Sequence, residues 1–133
     1  MLRHVVLATV GYTLIVFPLA MIWHVGLFEE AYHAFGYFDG EPNIPLGLVT
    51  ILSQGILLSI MYPMFAAHTP SFSQAARFCV LVGAFFWTSH VLALVAKQNV
   101  PDAMRFVVME SLYLGLQFGA FAIVLGFVFR DAD

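Results

Sequence analysis

Residues 43–65 contain no Asp, Glu, Lys, Arg or His. An apolar stretch of this length can cross a hydrocarbon core about 30 Å thick, which takes roughly 20 helical residues at about 1.5 Å each. Residues 5–28, 72–96 and 102–129 are comparably apolar. Lipid offers no partner for a bare backbone N–H or C=O, so each crossing must pair its own backbone as a helix. The expected fold is therefore all-α: a polytopic membrane protein with four transmembrane helices in an up-down bundle, as one domain over residues 1–133.

Composition supports this. Only 10% of residues are charged and 62% are hydrophobic, with mean hydropathy +0.92; a soluble domain carries about 25% charged residues. The single Cys79 excludes an internal disulfide and a cysteine-based zinc site. A net charge of −3 with no basic cluster gives nucleic acid nothing to bind. The apolar run after Met1-Leu-Arg-His is too long for a signal peptide and lacks a small-x-small cleavage site. It reads as a retained spanning helix.

Punctuation agrees with the four segments. Asn43 with Pro45, Thr69 with Pro70, and Asn99 with Pro101 each look like a cap followed by a first-turn proline. Pro18 and Pro63 predict kinks within helices. The long connection, residues 29–42, carries Glu29, Glu30, Asp39 and Glu41 with Tyr32, His33 and Tyr37. It reads as an extension of the first helix or as an interfacial segment with aromatic anchors. Arg3, Arg77 and Arg130 fall on the terminal side, Lys97 and Arg105 on the other. That bias puts both termini in the cytoplasm.

The two halves echo each other. His24-Val25 is matched by His90-Val91. Gln54 lies nine residues after Pro45, as Glu110 does after Pro101. Histidine to proline spans 21 residues in the first half and 11 in the second, so parallel hairpin repeats would require a ten-residue insertion in the first.

The candidate site residues are the polar groups that these helices carry inward. Nine residues of rise place Gln54 and Glu110 about 13 Å from their helix starts, near the midplane. His90 lies in the same half of the bundle, with His24 shallower. A carboxyl at such depth is costly, so Glu110 must be protonated or paired, with His90 or Arg105 as candidate partners. Glu110, Tyr113 and Gln117 share one helix face and form a polar stripe turned inward. These six residues are candidates for a ligand or proton site, or for hydrogen bonding that holds the helices together.

His24 and His90 could also together ligate a b-type haem iron or a metal between helices one and three. Glu30-Ala-Tyr-His33 has the spacing of a di-iron ligand pair, but the second such motif a di-iron bundle needs is absent. Gly115, Gly119 and Gly126 give the fourth helix a small face for close helix contact, within the bundle or with another subunit. No nucleophile elbow, phosphate loop, zinc motif or dinucleotide fingerprint occurs.

The runs Ile44-Pro-Leu-Gly-Leu, Leu52-Ser-Gln-Gly and Tyr62-Pro63 resemble those of a group of small uncharacterised bacterial four-helix inner-membrane proteins. So do Trp23-His24 with Leu27-Phe28 and Tyr32, and Val91-Leu-Ala-Leu-Val-Ala-Lys97. The resemblance runs over most of the chain and implies a multi-pass inner-membrane location, with no site attached. Taken together, the chain reads as a non-catalytic accessory subunit of a larger complex, a homo-oligomer, or a bundle that binds lipid or a small molecule. The alternatives are a proton-linked transporter using Glu110 and a haem or metal redox protein using His24 and His90.

Overall fold

The computed structural model describes residues 1–66 and 70–130. Four helices long and apolar enough to cross a membrane build it: α1 (Leu2–Leu27), α3 (Ile44–Ala66), α4 (Phe72–Lys97) and α5 (Ala103–Phe129). A short helix, α2 (Glu29–Ala34), follows α1. No strand occurs among the described residues.

The helix starts follow local hydrogen bonding. Asn43 Oδ1 accepts from the Leu46 amide at 3.0 Å, with Pro45 in the first turn as expected. At α4 the cap is Ser71, whose hydroxyl accepts from the Gln74 amide at 3.2 Å; Thr69 lies outside the described residues. At α5 the cap is Asp102 and not Asn99. Its carboxylate accepts from the Arg105 amide at 3.4 Å, and its backbone takes the left-handed conformation, φ 50°. Aspartate tolerates that conformation better than most residues, so the helix begins one residue later than the sequence suggests.

Two of the four spanning helices change winding partway. α1 is α-helical to Ala20 and then π-wound from Met21 to Leu27. α4 is α-helical to Trp87, π-wound from Thr88 to Leu92, and α-helical again to Lys97. π turns are uncommon and shift the register of every side chain beyond them. His24 sits in the first and His90 in the second, near the same end of the bundle.

The helices form a ring in the order α1, α3, α4, α5. α1 packs along α3 and α4 along α5, giving two antiparallel hairpins joined through α1 and α5; α3 and α4 touch least. Gly55 allows the first hairpin to close. A Cβ there would stand 3.0 Å from the Tyr12 ring, and Thr9 donates to the Gly55 carbonyl at 3.4 Å. In the second hairpin the Trp87 indole donates to Ser111 at 2.8 Å. The centre is aromatic: Tyr12 meets Phe121 edge-on at 4.8 Å, and Phe106 and Phe129 are fully buried. The outer surface carries Leu14, Leu57, Val80, Phe85 and Met104, all exposed, as expected where hydrocarbon is the solvent.

Residues 29–42 do not simply prolong α1. The backbone breaks at Phe28 (φ −121°, ψ 22°), and α2 turns back over the end of the bundle. Tyr32 and Phe35 are buried there, while Glu29, Glu30 and His33 stay exposed. Gly36 and Gly40, at φ 70° and 81°, make the return possible because no Cβ obstructs that conformation. Burial of the Tyr32 and Phe35 rings under the loop is what draws the segment inward.

Candidate functional site

The Glu110 carboxylate is fully buried in α5 and is the hub of a polar cluster at the loop side of the bundle. His24 Nε2 lies 3.1 Å from Oε2 and 3.3 Å from Oε1. His90 Nε2 lies 2.8 Å from Oε1. The Tyr32 hydroxyl donates to Oε2 at 2.5 Å and itself accepts from the Trp23 indole at 2.8 Å. Tyr37 stacks on His24 and reaches His90 Nε2 at 3.3 Å. Tyr113 packs edge-on against His24 at 4.5 Å. Arg105 is not a partner; its guanidinium lies over the Phe35 ring at 6.0 Å.

The hydrogen-bond pattern bears on the proton content. His24 Nδ1 lies 3.1 Å from the Ala20 carbonyl, which only accepts, so Nδ1 carries hydrogen. A neutral His24 then presents a bare lone pair at Nε2 toward the carboxylate. Their contact is a hydrogen bond only if a further proton lies between them, on His24 or on Glu110. With that proton the cluster is electrically neutral; without it one negative charge remains inside the bundle. An unpaired charge in so dry a place is strongly unfavourable. A cluster kept neutral would hold one proton shared among Glu110, His24 and His90.

The loop tyrosines stay protonated. Burial, reinforced by the negative charge of Glu110, pushes the Tyr32 phenol well above the ordinary tyrosine range, and the same causes raise Tyr37. Both remain hydrogen-bond donors at any physiological pH.

Gln54 and Gln117 form a second chain. Gln117 Nε2 donates to the Tyr12 hydroxyl at 2.8 Å, and Tyr12 donates to Gln54 Oε1 at 3.1 Å. Between the two groups lies a chamber of about 260 Å³, lined among others by His24, Tyr37, Gln54, His90, Tyr113 and Gln117. Glu110 stands behind the two imidazoles. The His90 side chain is 37% exposed and that of His24 only 9%, so His90 is the more open of the two.

The structure thus brings His24, His90, Glu110 and Tyr113 together, with Gln54 and Gln117 across the chamber. Both imidazoles aim Nε2 at the carboxylate. Among the described residues no group of three His, Cys, Asp or Glu is arranged to hold a metal ion. Of the small face, Gly126 meets the Phe72 ring, whereas among the described residues nothing lies within 4 Å of a Cβ placed at Gly115 or Gly119, which border an open groove between α4 and α5.

Sequence reasoning missed Tyr32, Tyr37, Trp23 and Tyr12. The first two read as interfacial aromatics, because nothing in residues 29–42 signals that α2 turns inward. Tyr12 sits in an apolar run with no spacing cue linking it to Gln54. Compared with known protein families, curated proteins and solved structures, the chain has no match.

Proposed function

We propose that this small multi-pass membrane protein binds a small cation-bearing ligand in its loop-side chamber, in exchange for the proton held between His24 and Glu110. The proton count of that buried cluster carries the reading. A cation entering beside the protonated cluster would leave a net positive charge in a dry site. If the proton leaves as the cation arrives, the site stays neutral. The faces of Tyr37, Phe38 and Phe86 in the chamber wall suit a cation. The groups facing the carboxylate are His24 from α1, Tyr32 and Tyr37 from the loop segment, His90 from α4 and Tyr113 from α5 itself. The tyrosines stay neutral, so the imidazoles and Glu110 carry the exchange.

By the resemblance of its sequence, the protein would sit in a bacterial inner membrane with both termini in the cytoplasm. The open groove beside Gly115 and Gly119 supports assembly through that face, with another copy or within a larger complex.

The exchange is tested in nanodiscs in weakly buffered solution containing a pH dye. Benzyltrimethylammonium should release about one proton per cation bound, and Glu110→Gln should release none. Binding without proton release, or equal release from the variant, defeats the reading.

A further inference from the structure

α3 and α4 are the least tightly joined neighbours in the ring, and a second cavity, about 370 Å³, lies between them. Leu57, Leu58 and Met61 of α3 line it with Leu81, Val82 and Phe85 of α4. Its remaining lining residues, Gln54 and Phe86, also line the polar chamber. The two cavities are therefore neighbours, with Gln54 and Phe86 between them. Leu57, Leu81 and Phe85 are exposed on the outer surface, so the cleft opens sideways, where acyl chains lie.

The polarity of this pair of cavities matches one class of molecule. The chamber is the more polar of the two, with His24, His90 and Gln117 set among mainly apolar neighbours, and lies on the loop side. The cleft is apolar apart from Gln54 and runs from the chamber toward the terminal side, one to two turns deeper along α3. A single-chain amphiphile resting in the loop-side leaflet has its head and tail in that same order. Gln54, whose Oε1 accepts from the Tyr12 hydroxyl, stands at the junction.

We infer that the ligand is a single-chain cationic amphiphile that enters sideways from the bilayer between α3 and α4, its head in the chamber and its chain in the cleft between Leu57 and Leu81. This rests on the proton-exchange reading above and adds the ligand class and the route.

Two probes separate the inference from that reading: decyltrimethylammonium, which has a chain, and benzyltrimethylammonium, which has none. Leu57→Trp and Leu81→Trp each fill the cleft from a lipid-exposed position where a larger side chain is tolerated. In nanodiscs each should weaken proton release by decyltrimethylammonium about tenfold and leave release by benzyltrimethylammonium unchanged. A decyl chain ending in a diazirine should label residues 57–61 and 81–85. If the tryptophans change neither probe, or weaken both alike, the lateral route is wrong and the exchange reading stands. Labelling spread over Leu14 and Leu112, outside the cleft, also overturns the route. If neither probe releases a proton from the parent protein, the exchange reading falls and this inference with it.

Discussion

His24 and Glu110, separated by 86 positions in sequence, meet at 3.1 Å where α1 crosses α5. The imidazole is oriented by its own helix, through Nδ1–H donated to the Ala20 carbonyl. That orientation fixes the tautomer and leaves Nε2 bare in a neutral ring. The π winding of Met21–Leu27 sets the direction in which the ring points. In α4 a second π segment aims His90 at the other carboxylate oxygen. There Ser89, not the histidine, reaches back to the Phe85 and Phe86 carbonyls, at 3.1 and 3.2 Å.

Replacing Glu110 by glutamine should change stability little. The amide oxygen can take the place of Oε2 and accept from Tyr32, and the amide nitrogen can take the place of Oε1 and donate to the bare Nε2 of His24 and, in its other tautomer, of His90, so every partner stays satisfied without the extra proton. Equilibrium unfolding in mixed detergent should place Glu110→Gln within about 1 kcal/mol of the parent. Glu110→Ala leaves the buried His24 and Tyr32 and the partly exposed His90 without this partner and should cost about 3–5 kcal/mol. Equal losses in the two variants would contradict the proton count.

The two histidines should not be equivalent. His24 is enclosed, so His24→Ala strands a buried carboxylate and should cost about 3 kcal/mol. His90 is more exposed, and water can replace its hydrogen bond, so His90→Ala should cost about 1 kcal/mol. The same unfolding assay ranks them, and the reverse order would refute the burial argument.

Tyr32 gives a pH signature. Its phenol is raised above the ordinary value near 10, first by burial and then by Glu110. A raised folded-state value means that its contribution to stability is complete below about pH 10 and declines as pH climbs toward the folded value. Tyrosinate absorbance at about pH 11 should therefore be the same in Tyr32→Phe and the parent. A loss of one tyrosine's signal in the variant would show that Tyr32 ionises normally.

Gly55 sets how closely α1 and α3 approach. Gly55→Val drives its side chain into the Tyr12 ring and should cost about 1–3 kcal/mol. It should also separate Tyr12 from Gln54, lowering benzyltrimethylammonium affinity through loss of the chamber's far wall. Unchanged stability together with unchanged affinity would show that the approach is not tight.

The number, type and approximate limits of the helices follow from the sequence, because one solvent sets them. Hydrocarbon demands about 20 apolar residues per crossing and internal pairing of every backbone group. That demand is written locally in residues 5–28, 44–66, 72–96 and 102–129. The inward course of Glu110 follows for the same reason, since a carboxyl facing acyl chains would be prohibitively costly. Its partners do not. His90 and Arg105 are both within reach by depth, and only packing selects the histidine, leaving Arg105 over Phe35. His24 joins because α1 lies against α5, which no local pattern encodes. Tyr32 arrives because α2 turns inward to bury its own aromatic rings, a gain that exists only once the bundle end is there to receive them. The chamber and the lateral cleft are likewise properties of how tightly neighbouring helices fit. Side-chain volumes summed across four helices decide that fit, and no single stretch of the chain contains it.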